Sequence, residues 1–296
     1  LTVHTAPVTQ PSPTTDLERY VAVGGVRTRY RVSPATGSGT PLLLVHGIGR
    51  SLEDWSDNVE ALARGRAVYA LDMVGFGRTD KPDRGYSLDD LSDFLLEFMN
   101  TVGLGRAVLI GNSLGGAVCV RSALRVGSRV AGLVLVAPAG FGQRIAPLLS
   151  LCTVPVLGEY LTRNSAKIDG ARMVLQGCFH DQAFVTPERI EHDHRLSTLP
   201  GRQRAFWRTL RDACDWRGVR QKNLETVRGQ LSNLTQPTLV VWGEHDHILP
   251  SQYLEGASRV QGIETQRFES CGHFPQLECS QRFNALTLDF LKRRKL

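Results

Sequence analysis

Little in these 296 residues could hold the chain together except its own core. The six cysteines, Cys119, Cys152, Cys178, Cys214, Cys271 and Cys279, form no C-x-x-C pair and no zinc-like spacing, which argues against a disulfide scaffold or a structural metal. They read as free or buried thiols of a reducing, cytoplasmic compartment. Long hydrophobic runs are missing too. The longest, Val130 to Gly142 and Ile145 to Gly158, contain prolines and fall short of the roughly 20 residues a bilayer requires, so no integral membrane segment is expected. Residues 1–16 have neither a basic start nor an apolar stretch and read as a flexible tail rather than a signal peptide. Aromatic residues make up only 7% and do not interleave with the basic ones at stacking intervals, and no DNA-reading motif is present. Nucleic acid is therefore excluded as a partner despite a formal charge of +6. A small-molecule substrate is expected, with no cofactor and no metal, and no feature of the sequence sets an oligomeric state.

Short β-branched runs alternate with stretches of helical periodicity, which predicts an α/β fold with a mostly parallel sheet flanked by helices. Eight strands are expected, near Tyr20–Val23, Val26–Val32, Pro41–His46, Arg66–Leu71, Arg106–Ile110, Ala131–Ala137, Pro237–Trp242 and Glu264–Phe268. The Gly24-Gly25 pair between the first two predicts an antiparallel hairpin. Helices are expected at Asp57–Arg64, Ser87–Val102, Leu114–Arg125 and Ser280–Lys292, the third with one buried face and one wet face. From residue 139 to 233 strand signals stop, while arginines and aromatics such as Phe141, Phe179, Phe184, Phe206, Trp207 and Trp216 recur at helix-compatible spacing. The expected layout is core at 17–138, an inserted helical cap at 139–233 and core again at 234–296, with the ligand cleft at the strand ends.

Gly111-Asn112-Ser113-Leu114-Gly115-Gly116 matches G-x-S-x-G. The string is common by chance; its setting is not, because a strand precedes it and a helix follows. Such a turn is crowded, so the positions two before and two after the serine need residues with almost no side chain. A serine hydroxyl also needs a base, and the base needs an orienting group. Gly243-Glu244-His245-Asp246-His247 and Cys271-Gly272-His273-Phe274-Pro275 each follow a predicted strand, at the sheet edge that presents Ser113.

With these residues the chain resembles the α/β-hydrolase-fold serine hydrolases from about Tyr20 to Leu296. His46-Gly47-Ile48-Gly49 resembles the family's oxyanion loop, and Leu71 to Pro82 its loop after the next strand. The resemblance implies Ser113 as nucleophile, His273 as base and Asp246 as orienting acid, with the backbone N–H groups of Ile48 and Leu114 as the oxyanion hole. Glu244 stays open as an alternative acid. His245 and His247 flank Asp246, as His192 and His194 flank Asp193; either pair could be imagined on a metal, but both read as surface or capping histidines. His46 reads as structural and Cys271 as a small buried side chain. The arginines of the middle segment read as a solvated face, with Arg204 or Arg208 as the alternative partner of an anionic substrate group.

Serine at the elbow, rather than aspartate, implies acyl transfer. The expected substrate is a carboxylic ester with an apolar or aromatic portion, held by Phe141, Trp207 and Phe274. The elbow, Cys-Gly-His and Glu278 also resemble the carbon–carbon bond hydrolases of meta-cleavage pathways, which commonly carry Trp where this chain has Phe274. Cleavage of a vinylogous diketone is therefore the alternative. A receptor built on the same scaffold, with slow or no turnover, is the alternative from another class.

Overall fold

The computed structural model describes residues 18–296, so the expected tail at 1–16 lies outside the described residues. All eight expected strands are present and form one sheet. They are β1 (Glu18–Val23), β2 (Val26–Ser33), β3 (Leu42–Val45), β4 (Val68–Leu71), β5 (Ala107–Asn112) and β6 (Val130–Val136), then, far along the chain, Thr238–Gly243 and Ile263–Phe268. Between β6 and Thr238 lies a ribbon of two-residue strands, β7 (Cys214–Asp215) and β8 (Gly218–Val219), which makes the last two sheet strands β9 and β10. The sheet order is β1-β2-β4-β3-β5-β6-β9-β10. Only the β1–β2 and β2–β4 pairings are antiparallel. Gly24 and Gly25 join the hairpin at φ +53° and +79°, the left-handed pair that matches strand twist in a two-residue turn.

Alternation along the strands feeds two cores. Leu43, Val45, Leu109, Leu133 and Leu135 pack on one face with α2 (Leu88–Thr101) and α3 (Leu114–Arg125). Leu42, Leu44, Val108, Ile110 and Val134 pack on the other with α1 (Val59–Leu62) and, from the chain's end, Phe283, Phe290 and Leu291. Burial on both faces explains why the central strands read as nearly continuous apolar runs. The third expected helix departs from its expected wet face. Only Arg121, Leu124 and Arg125 of α3 escape burial, because α2 covers the side away from the sheet and the Ser92 and Ser122 hydroxyls meet across it at 3.0 Å. The helix expected at Asp57–Arg64 shrinks to the single turn of α1, entered through a 3₁₀ turn at Leu52–Trp55.

The chain between β6 and β9 carries α4 (Pro147–Leu151), α5 (Leu157–Ser165), α6 (Ile168–Cys178), α7 (Pro187–Ser197), α8 (Arg202–Ala213) and α9 (Gln221–Thr226). The β7–β8 ribbon corrects the expectation that strands are absent here; two residues per strand are too few for a period of two to show. After β9 come α10 (Tyr253–Ser258), α11 (Pro275–Glu278) and α12 (Ser280–Arg293). Among the described residues no helix is long and apolar enough to cross a membrane.

Candidate active site

The turn between β5 and α3 is set by backbone touching backbone. A Cβ on Gly111 would lie 2.4 Å from the Gly115 carbonyl oxygen, and one on Gly115 would lie 2.3 Å from that of Val45. No larger residue fits either position. At the apex Ser113 is held at φ +55°, ψ −119°, a conformation that a side chain normally avoids and that the surrounding bonds enforce. Its N–H donates to the Val136 carbonyl and its own carbonyl accepts from Ala139, each at 2.9 Å.

Asp246 lies in the turn after β9. One carboxylate oxygen accepts the Ile248 and Leu249 N–H groups at 2.8 and 2.9 Å; the other accepts Trp242 Nε1–H at 3.0 Å and His273 Nδ1–H at 2.8 Å. Four donors surround this buried carboxylate, and its acceptance from the imidazole fixes Nδ1 as the hydrogen-bearing nitrogen. The Nε2 lone pair of His273 is then the free basic site. Glu244, the alternative acid, is exposed and turns toward His245 instead. Asn112 brings the elbow to the histidine: its side-chain N–H₂ donates to the carbonyls of Val136 and His273, both at 3.2 Å. Among the described residues no hydrogen bond joins the Ser113 hydroxyl to the imidazole in this state, and contacts of this kind commonly tighten only in the substrate complex.

The Ile48 and Leu114 amides donate to no acceptor among the described residues. Leu114 opens α3, where the helix leaves its first N–H groups unpaired. His46 shapes the facing loop: Nδ1–H donates to the Gly47 carbonyl at 2.7 Å, and Nε2 accepts the Met73 N–H at 3.0 Å. Burial pushes its pKa down, so the ring is neutral and serves as a brace.

The expected substrate-binding residues part company. Phe274 sits 5.3 Å from the His273 ring, edge-on to Phe179 and beneath the Arg50 guanidinium. Phe141 is buried edge-on against Trp242, behind the indole that holds Asp246. Trp207, Arg204 and Arg208 line an open groove of about 690 Å³ with Arg84, Tyr86 and Arg211, and neither Ser113 nor His273 is among its walls. Helix geometry explains this placement. Arg202 and Phe206, four residues apart on α8, face Gly49 of the loop after β3, whereas Trp207 is rotated about 100° from Phe206. Arg202 donates to the Gly49 carbonyl at 3.4 Å, and no carboxylate among the described residues lies within ion-pairing distance of it. Burial lowers the pKa of this guanidinium.

Sequence reasoning passed over Arg202, Asn112, Trp242 and Arg50. Arg50 binds Asp54 at 2.6 and 2.9 Å and pairs with Asp193 of α7. His192 faces Ser51 and Glu53, His194 bonds the Ala166 carbonyl, and His245 stacks on His180. The Cys279 sulfur and burial together push the Cys271 thiol up, which makes it unreactive.

Three comparisons with known proteins bear on this arrangement. The dihydrolipoyllysine-residue acetyltransferase component of the acetoin cleaving system of Pseudomonas putida is 34% identical over 92% of this chain and 68% of its own length. The 2-hydroxy-6-oxo-2,4-heptadienoate hydrolase of Pseudomonas putida F1 is 30% identical over 93% of this chain and 96% of its own. The crystal structure of a meta-cleavage product hydrolase from Pseudomonas fluorescens IP01 superposes with a TM-score of 0.78 at 28% identity, covering 93% of this chain and 97% of that one. Residues 40–279 match the α/β-hydrolase-fold family, and the chain belongs to it.

Proposed function

We propose that this protein is a serine hydrolase that cleaves the carbon–carbon bond beside a ketone in an anionic vinylogous diketone, through an acyl-Ser113 intermediate. The observation that carries the reading is the buried Asp246–His273 pair beside the strained Ser113 elbow. His273 Nε2 takes the hydroxyl proton as Ser113 Oγ adds to the ketone, and Asp246 balances the imidazolium charge. The oxyanion points at the Ile48 and Leu114 N–H groups. As the C–C bond breaks, its electron pair passes into the conjugated carbonyl arm, and His273 returns the proton to that arm. Water, deprotonated by His273, then releases the acid from Ser113.

Carbon–carbon cleavage takes precedence over the expected ester for two reasons. The 30% identical hydrolase of a dienoate is matched along nearly the full length of both chains. In addition, Arg202 lies beside Gly49 with no carboxylate within ion-pairing distance among the described residues, Asp193, whose charge acts on it, being engaged with Arg50, so the guanidinium is placed to meet a substrate carboxylate. The segment at 139–233 acts as the cap, with Arg202, Phe206 and Phe179 forming its inner side.

Wild type and Ser113→Ala are compared on a vinylogous 1,5-diketone acid and on nitrophenyl esters of increasing chain length. Serine-dependent cleavage of the diketone at least 100-fold more efficient than that of any ester is expected. Turnover of esters alone restores the ester reading. Fluorophosphonate labelling of Ser113 with no turnover of either class points to a receptor.

A further inference from the structure

The His273 loop is fastened to the inserted segment by one carboxylate. Glu278, at the end of α11, is partly buried and accepts three backbone N–H groups from two separate stretches of chain. One of its oxygens takes His180 at 2.8 Å and Asp181 at 3.0 Å; the other takes Gly272 at 2.8 Å. Next to it the His273 N–H donates to the Cys178 carbonyl at 2.8 Å, where α6 ends. The two backbones touch, for a Cβ on Gly272 would lie 2.5 Å from the Cys178 oxygen and 2.7 Å from the His180 nitrogen. The same turn reaches the acid loop, because the His180 ring stacks on His245 at 4.1 Å and the His245 N–H donates to the Cys271 carbonyl at 2.9 Å.

A carboxylate with donors from both sides resists a sliding of either backbone, since any shift that keeps one set of bonds breaks the other. Through this grip the place of residues 178–181 becomes the place of the imidazole.

We propose that Glu278 is a positioning residue that fixes the His273 ring for proton transfer by locking the 178–181 turn to the Gly272–His273 turn. The proposal rests on the Ser113–His273 reading above, and its test separates the two. Glu278→Gln keeps the shape but leaves one oxygen, so either Gly272 or the His180–Asp181 pair loses its acceptor. From the other side, Asp181→Pro removes a single N–H at φ −82°, close to what proline adopts, and Asp181→Ala is its control because it loses the same side chain and keeps the N–H.

The full-length chain is assayed for kcat, KM, the rate of fluorophosphonate labelling, melting temperature and the NMR signal of the proton between His273 Nδ1 and Asp246. Glu278→Gln, and Asp181→Pro relative to Asp181→Ala, should lower kcat and labelling by about 10- to 100-fold with KM within about 3-fold, as slight misplacement of a base does. The NMR signal should shift in both while each variant still melts cooperatively. A folded Glu278→Gln with wild-type kcat and an unshifted signal overturns the proposal. So does an Asp181→Pro indistinguishable from Asp181→Ala. Absence of Ser113-dependent labelling in wild type sinks the serine reading instead, and the NMR signal alone then decides whether Glu278 sets the ring.

Discussion

Around β5 and β6 the chain is held by backbone against backbone, whereas the rim of residues 139–233 is tied to the rest by the ends of long side chains, above an apolar base (Phe141, Ala205, Val227) that packs into the sheet's own core. At the elbow, Gly111 and Gly115 admit no Cβ, and Asn112 is completely buried between the Val136 and His273 carbonyls. Across the seam, Arg50 pairs with Asp193, Arg189 reaches Asp57 at 3.7 Å, and Arg204 and Arg208 both grip Asp83. The outer face of the inserted segment exposes Leu148, Val156, Tyr160 and Met173. Close packing gives a geometry that cannot drift, whereas partly hydrated ion pairs give one that can be remade. A site that needs a rigid nucleophile and an entry path for substrate requires one of each. The Glu278 contact, with the His273–Cys178 and Ala146–Ile248 backbone bonds, holds the inserted segment to the core more firmly than these ion pairs do.

The largest test of this contrast removes chemistry from the rigid side. Asp246→Asn should lower kcat by about 10⁴-fold while changing the melting temperature little, because an amide favours the wrong tautomer of His273. Ser113→Ala should leave no labelling at all. A near-normal rate in Asp246→Asn would mean that the charge comes from elsewhere. Next in size is the elbow itself. Gly115→Ala places a methyl group 2.3 Å from the Val45 oxygen, where only backbone movement can relieve it. Denaturant unfolding should show a loss of about 3 kcal/mol or more, at the upper end for overpacking. A fully stable variant would show that the elbow is as pliable as the seam.

How far the sequence already exposed this contrast depends on what kind of force each part uses. The eight strands and the hairpin at Gly24-Gly25 were legible because burial on both sheet faces and left-handed glycines leave local marks. The elbow was legible because its crowding dictates residue type at fixed offsets. The chain between β6 and β9 reads as mostly helical because β-branched runs stop there, but the sequence does not show that Trp207, expected to bind substrate, lines a groove whose walls include neither Ser113 nor His273. Helical phase relative to a distant loop is a tertiary property, which aromatic spacing does not encode. Arg202 was hidden for the same reason: one arginine among many, set apart by its place against Gly49. Trp242 and Asn112 act by hydrogen bonds to residues that only folding brings near.

Third in size is the cation that these marks could not reveal. Arg202→Gln should raise KM for an anionic diketone and lower kcat/KM by about 10- to 100-fold, corresponding to the roughly 1.5–3 kcal/mol of a charge-assisted hydrogen bond. For a neutral nitrophenyl ester the change should stay within about 3-fold. Equal losses on both substrates would make Arg202 a structural brace of the Gly49 loop rather than a reader of charge.

Acid tests the seam more gently. Burial raises the pKa of Glu53, but the Arg29 hydrogen bond and charge, with the Ser51 hydroxyl, outweigh it and bring the carboxyl down to about 2. Its folded pKa therefore lies below the ordinary unfolded value near 4.5. The stability it contributes is present above pH 4.5 and is lost as pH falls toward 2, about 2 kcal/mol in all once solvent screening at the partly exposed side chain is allowed for. Glu53→Gln should be less stable than wild type at pH 7, with the gap closing across that window. A gap that persists at pH 2 would mean that packing, not charge, is what Glu53 contributes.

The smallest expected effect is the most telling about the seam. Asp193→Asn removes one anion from Arg50 and its charge from nearby Arg202, yet Arg50 keeps both bonds to Asp54 and the amide oxygen can still accept, so the cost should be only about 1 kcal/mol. Calorimetry should show a drop of about 2–4 °C, as expected for a chain of this size. That loss belongs mainly to the inserted segment if the two regions are held by different forces. Limited proteolysis should then cut within residues 139–233 several-fold faster, while Ser113 labelling stays close to wild type, because Glu278 still holds the 178–181 turn. Unchanged cleavage with a lower melting temperature would mean that the ion pair stabilises the whole fold at once. The seam would then be as cooperative as the sheet, and the entry of substrate would need some motion other than a rearrangement of these pairs.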